Sequence, residues 1–291
     1  MGHVRDRMSA DLKLAGRSES TREQYIRCAR AFVKYYMRPP EELGEEDVRA
    51  FLLYLIEVRK VSVGRYLQFL GALKFMFTVT LGRPEVTARI PWPRRARSRP
   101  NALTLDEVAR VLAAARTPFW RVFLMTAYAT GLRRMEVAAL RAQDIDSRSG
   151  LLRVAHGKGS KAREVMLDPE LLIALREHWR IHALPGPWLF PAQTRFGGWA
   201  DRPVALHRAS AAMRDARIRA KIARPATLHW LRHSFATHLL EDGTTNIIVL
   251  QRLLGHDRIE STQGYTHVRT DQIRATPSPL SKLPRVPKRS K

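Results

Sequence analysis

The chain has 291 residues, and 51 Lys plus Arg against 27 Asp plus Glu give it a formal net charge of +24. That length suggests two domains of unequal size, and that charge is the footprint of a polyphosphate partner, with double-stranded DNA or another nucleic acid as the default ligand. No apolar run approaches the roughly 20 residues of a membrane span, no secretory h-region opens the chain, and a single cysteine, Cys28, points to a reducing, cytoplasmic compartment.

Ser20 with Glu23 forms a capping box opening a helix in which Tyr25, Ala29, Phe32, Val33 and Tyr36 recur at helical spacing. Two more helices are predicted, one carrying Val48, Phe51, Leu52 and Leu55, the other Val63, Tyr66, Leu67, Leu70, Leu73 and Phe77. Residues 8–82 thus read as a small all-helical unit within a first domain of residues 1–90. No catalytic constellation lies in it, and its basic residues either form a solvated face or lie along DNA phosphates. PWPRRARSRP, from Pro91 to Pro100, then replaces apolar periodicity with three prolines and four arginines, which predicts an extended basic linker over 91–101.

The second domain, residues 102–277, opens with another capping box, Thr104 with Glu107, ahead of Val108, Val111 and Leu112. A helix from about Phe119 to Tyr128 is interrupted at Thr130-Gly131, and Leu132 to Leu140 can resume as a helix, which places Arg133 near a helix N-terminus. Leu151–Val154 and Glu164–Leu167 read as the strands of a hairpin whose turn, HGKGSK (His156 to Lys161), carries Lys158 on its tip. A helix from Thr227 to Glu241 has Leu228, Leu231, Phe235 and Leu239 as its apolar stripe, and another from Thr245 to Leu254 ends at the C-cap glycine Gly255. The fold class is therefore mainly α with a small β-hairpin. After Ser278 come five basic residues, several prolines and no acid, so the tail 278–291 is expected to be loosely ordered.

His229 and Arg232 stand three apart, neighbours on one edge of their helix. An arginine there can hold a phosphate oxygen bidentately, and a histidine beside it can donate to the phosphate or exchange a proton with a nucleophile; taken singly, such residues are more often solvated or locally paired. His256 projects just beyond Gly255, and Tyr265 follows nine residues later. A tyrosyl oxygen can displace an alcohol from a phosphodiester when cations neutralise the developing charge and an acid protonates the leaving oxygen. Out of context, such a tyrosine is more often a half-buried core residue.

In this order, ATGLRRMEVAALRAQDID (Ala129 to Asp146), HGKGSKAREVML (His156 to Leu167), LHWLRHSFATHLLEDG (Leu228 to Gly243), LLGH (Leu253 to His256) and STQGYTHV (Ser261 to Val268) resemble the motifs of the tyrosine recombinase, or phage integrase, family. The helical first domain resembles the family's core-binding domain more weakly, by position and helix count. The resemblance implies a C-shaped clamp on DNA built from the two domains. Arg133 and Arg232 match the arginines that contact the non-bridging oxygens of the scissile phosphate, Lys158 the general acid, His229 the residue assisting proton transfer at the nucleophile, His256 a phosphate hydrogen-bonder, and Tyr265 the nucleophile that forms a 3′-phosphotyrosyl link. Glu136 matches an acid that supports the site, with a structural helix role as the alternative. The family's reaction uses four protomers on two duplexes and a Holliday junction, without metal or ATP, and leaves room for an accessory DNA-bending protein or a partner recombinase.

That accords with GKGSK at Gly157, which is no P-loop: Leu152 stands where the upstream glycine belongs and Gly159 where Ser or Thr is required. Trp230 departs from the family pattern, where a smaller polar residue is usual. The tail has too many prolines for a long docking helix, and it is expected either to bind a neighbouring protomer through Leu280 and Leu283 or to add charge for DNA. Three other readings compete: a zinc site from His229 and His233 at i, i+4 spacing, which lacks the glutamate of HExxH; a type IB topoisomerase; and a DNA-binding accessory protein without strand exchange.

Overall fold

The computed structural model describes residues 2–93, 102–154, 162–182, 184, 186–243, 245–255 and 276–284. The chain divides into two units, Met1–Arg97 and Ser98–Lys291.

The first unit is helical. Helix α1 (Gly2–Leu14) is not among the predicted helices; it buries Val4, Met8 and Leu12, one residue per turn, a stripe too narrow to stand out in sequence. Helix α2 (Glu19–Tyr36) begins before the expected capping box, with Ser18 at the N-cap and its hydroxyl 2.9 Å from that of Thr21, so Ser20 and Glu23 lie inside the helix. Helices α3 (Glu45–Glu57) and α4 (Val63–Phe75) follow, and α4 runs on into a π-helical turn, Met76–Thr80. Phe32 sits at the centre of the core, edge-on to Phe51 and Phe77. Of the apolar residues assigned to α4, Leu70, Leu73 and Phe77 are buried, whereas Val63, in the first turn, is exposed and Phe69 is buried instead. A short helix α5 (Glu85–Ala88) is tied back by Lys74 Nζ, which donates to the Thr87 carbonyl at 2.6 Å.

The second unit opens on α6 (Leu105–Ala113) with its capping box formed: Thr104 Oγ1 accepts from Glu107 N at 3.2 Å, and Glu107 Oε2 from Thr104 N at 2.9 Å. Helix α7 (Pro118–Thr130) stops at Gly131, which adopts φ +62°. The helix expected over Leu132–Leu140 is only five residues long, α8 (Arg134–Ala138). Strands β1 (Ile145–Asp146), β2 (Leu151–Val154) and β3 (Arg163–Met166) form an antiparallel sheet in that order, with Leu152 opposite Val165 and Val154 opposite Arg163. The hairpin is the predicted one with its second strand starting one residue earlier, and β1 is an addition. Helix α9 (Pro169–His182), the β4 (Pro191–Gln193) and β5 (Trp199–Pro203) pair, and helices α10 (Leu206–Arg219), α11 (Leu228–Glu241) and α12 (Ile247–Leu254) complete the unit. The stripe Leu228, Leu231, Phe235 and Leu239 is buried, and α11 packs on α7 through it.

The expected behaviour of the tail is corrected in its described part. Ser278 Oγ donates to the Ala129 carbonyl at 3.1 Å and accepts from Leu280 N, capping a 3₁₀ turn, Pro279–Lys282. Leu280 is buried in this unit's own core, with Leu283 packed beside it. Tyr128, fully buried, places its hydroxyl 2.9 Å from His238 Nδ1 and 3.5 Å from the Pro279 carbonyl. Two apolar side chains in a Pro-rich segment suffice to dock it, and Leu280 here lies in the core of its own chain.

His178 on α9 carries a pH dependence. It is buried among Phe119, Phe190 and His182, with Nε2 2.8 Å from the Leu189 carbonyl, and burial lowers its pKa to about 4. A histidine held neutral in the fold but protonated near pH 6.5 when unfolded gives stability that is present above pH 6.5 and lost as pH falls towards 4, about 3 kcal/mol in full. His182, also lowered by burial, acts in the same direction. Urea unfolding from pH 7 to 4.5 is expected to show this loss, and His178→Gln, which can still donate to the Leu189 carbonyl, to flatten it. An unchanged slope in that variant would remove His178 as the cause.

Candidate active site

The break at Gly131 creates the site. With α7 ended by a left-handed residue, Arg133 becomes the N-cap of α8 (φ −68°, ψ 149°), and its backbone N–H donates to Glu136 Oε2 at 2.7 Å. Its guanidinium donates to Glu136 Oε1 at 3.0 Å and to the Gly255 carbonyl at 2.9 Å. Glu136 is buried, which alone would raise its carboxyl pKa; hydrogen bonds from Arg163 and from the Arg133 backbone outweigh this and hold it below the ordinary glutamate value.

Arg232 comes from the middle of α11 and is 4% exposed. Its guanidinium donates to the Gly131 carbonyl at 2.8 Å and to that of Leu254 at 2.5 Å. Burial, then repulsion by Arg133, lowers its pKa to about 10, so it is a cation at neutral pH with an unmet demand for negative charge. A guanidinium has five N–H donors. The bonds described fix the planes of Arg133 and Arg232 and leave donors on each for an anion.

His229 lines the same open cavity, of about 640 Å³, together with Arg133, Arg232 and the exposed Arg134 and Arg214. Burial, with His233 and then Arg232, Arg133 and Arg134 adding to it, lowers the His229 pKa. A neutral imidazole is the form that accepts a proton. The same surroundings oppose zinc: the His229 and His233 rings are 4.4 Å apart, but a divalent cation there would meet those arginines. Trp230 packs against the core with Arg224 over its ring at 5.4 Å, and Arg224 also pairs with Glu107, so the departure at this position is absorbed in packing.

Helix α12 starts at Ile247, with Asn246 Oδ1 accepting from Ile248 N at 3.0 Å, and stops at Gly255 in the left-handed region. The structure thus brings Arg133, Glu136, His229 and Arg232 together. Lys158, His256 and Tyr265 lie outside the described residues. Sequence reasoning missed Arg163: at the start of β3 its side chain is almost fully buried and forms a bidentate pair with Glu136, at 2.9 and 2.7 Å. No periodicity marks it, because an arginine beside a hairpin turn reads as exposed.

Two fixed arginines and a neutral histidine around one cavity are an arrangement chemically able to hold an oxyanion. Residues 101–272 match the model of the phage integrase family, and residues 4–85 that of the phage integrase N-terminal SAM-like domain. The chain is 37% identical to a putative integrase/recombinase of Sinorhizobium fredii over 98% of its own length and 91% of that protein's. It is 30% identical to the tyrosine recombinase XerA of Pyrococcus horikoshii over 90% and 88%. Among solved structures, a lambda integrase fragment (75–356), crystallised as a dimer bound to a core site, superposes with a TM-score of 0.70 at 20% identity, over 92% of this chain and 98% of that one, a likeness of fold. The chain belongs to the phage integrase family, the tyrosine recombinases.

Proposed function

We propose that this tyrosine recombinase cleaves and rejoins double-stranded DNA at specific sites, with Arg133 and Arg232 holding the non-bridging oxygens of the scissile phosphate. Tyr265 Oη attacks phosphorus and passes its proton to neutral His229; the bond from phosphorus to the 5′ oxygen breaks, and Lys158 protonates that oxygen. The product is a 3′-phosphotyrosyl link and a free 5′ hydroxyl. Attack by the 5′ hydroxyl of the partner duplex reverses the step and regenerates Tyr265, so the bond energy is conserved. His256 adds a hydrogen bond to the phosphate, and Glu136 holds Arg133 without touching the substrate. The helical first unit and the basic linker add phosphate contacts. Four protomers on paired sites exchange one strand pair through a Holliday junction and then the other. The enzyme acts on DNA in the cytoplasm; among the described residues no helix is long and apolar enough to cross a membrane.

The observation that carries this reading is the pair of arginines from α8 and α11, both anchored on the end of α12 and facing one cavity with His229. Nicked duplexes from the flanks of the gene, in which the nick lets the cut fragment diffuse away, are the test. We expect a detergent-stable protein–DNA adduct whose nucleotide, after nuclease and trypsin digestion, maps to the peptide of residues 259–269. Tight binding without adduct on every bound duplex, or a link to another residue, would overturn the assignment.

A further inference from the structure

Each of the last three residues of the α12 end, Leu253, Leu254 and Gly255, gives its carbonyl to a different arginine. Arg163 Nε donates to Leu253 at 2.8 Å, Arg232 to Leu254, and Arg133 to Gly255. These are carbonyls that a helix C-terminus leaves without partners, at the negative end of its dipole. Arg232 and Arg133 have assigned work at the phosphate, and Arg163 has none.

The Glu136 carboxylate joins the two sides. Its Oε1 accepts from Arg133 at 3.0 Å and from Arg163 at 2.9 Å; its Oε2 accepts from the Arg133 backbone at 2.7 Å and from Arg163 at 2.7 Å. Arg163 therefore connects β3, the α12 end and the carboxylate that aims Arg133. The packing around it is close: a Cβ on Gly255, at φ +59°, would lie 3.2 Å from the Arg163 guanidinium. Among the described residues the only other side chain that bonds both Glu136 and the α12 end is that of Arg133 itself, the group to be aimed.

Resting on the reading of Arg133 as a phosphate ligand, we propose that Arg163 is a positioning residue for strand cleavage: by clamping Glu136 to the C-terminal turn of α12 it holds the Arg133 guanidinium where the scissile phosphate binds. It does not touch the DNA. The planar fork is required, since a lysine offers one nitrogen and cannot span both carboxylate oxygens and the Leu253 carbonyl.

The test uses the full chain and the nicked duplex that the wild type cleaves, in two forms. One has an ordinary scissile phosphodiester, and the other a methylphosphonate there, which replaces a charged non-bridging oxygen by methyl and so reduces the need for a cation. Arg163→Lys is expected to retain the duplex like the wild type yet form adduct about 100-fold more slowly, the cost of misplacing a group by about 1 Å. On the methylphosphonate the deficit is expected to shrink to within about threefold, because the charge Arg133 would neutralise is gone. A merely structural role slows both substrates equally. The double variant Glu136→Gln/Arg163→Met, which removes both buried charges, guards against misfolding of the single variant and is expected to show the same selective loss.

Equal loss on both substrates, or wild-type rates in either variant, overturns the inference while the recombinase reading stands. No adduct from the wild type overturns both.

Discussion

Arg232→Met is expected to slow adduct formation about a thousandfold, the upper range for removing a preorganised donor at a developing oxyanion, and to leave the protein about as stable as before. The loss follows from geometry: Arg232 rises from the middle of α11, is held on the Gly131 and Leu254 carbonyls, and faces the cavity it shares with Arg133 and His229. The effect on stability is the balance of two opposed terms. A pKa lowered by burial to about 10 means that the fold disfavours this cation, by about 3 kcal/mol; removing the charge releases that. Against it, two buried carbonyls lose their donor, at about 1–3 kcal/mol each. Methionine fills much of the same volume without a charge. Thermal unfolding beside the adduct assay checks both halves. A large fall in melting temperature would mean that Arg232 is chiefly a structural clip, and wild-type cleavage would remove it from the site.

The same balance explains what sequence could and could not reveal. Thr104 with Glu107, the stripe of α11 and the stop at Gly131 are local patterns, set by neighbours within four residues, and each stands in the structure where the pattern put it. Arg133, Arg232 and His229 were legible through motif order, and the structure adds why they converge. Features that depend on distant partners were not legible. Arg163 needs Glu136, 27 residues earlier, and the carbonyl of Leu253, 90 residues later, to be anything but a surface charge. Leu280 needs the floor formed around Tyr128 and α11 to become a core residue. Helix α1 buries only one residue per turn, and its charged faces hide that stripe. The late start of α8, at Arg134 rather than Leu132, has a tertiary support as well: the buried Glu136 carboxylate caps Arg133 N and is itself fixed by Arg163.

Gly131→Ala is the second large expectation, and it acts on the backbone that orders the site. Gly131 has φ +62°, a left-handed conformation costing an L-residue roughly 1–2 kcal/mol. An added Cβ would also lie 2.4 Å from Phe235 Cδ1 and 2.6 Å from Cε1, against a ring wholly enclosed by the core. Overpacking of this kind adds about 1–3 kcal/mol, for a total of about 3 kcal/mol or more. Gly150→Ala separates the two causes, because Gly150 has nearly the same φ, +66°, and nothing within 4 Å of the added carbon. The Gly150 variant is expected to lose about 1 kcal/mol and to keep its cleavage activity. The Gly131 variant is expected to unfold at markedly lower urea and to lose cleavage even under conditions where it is folded. The reason is positional: the Gly131 carbonyl anchors Arg232, and the turn it makes sets Arg133 as the α8 N-cap. Displacing that turn moves Arg133 and Arg232 at once. If the two alanine variants proved equally stable and equally active, Phe235 would have room to yield, and the junction between α7 and α8 would not be what fixes the arginines.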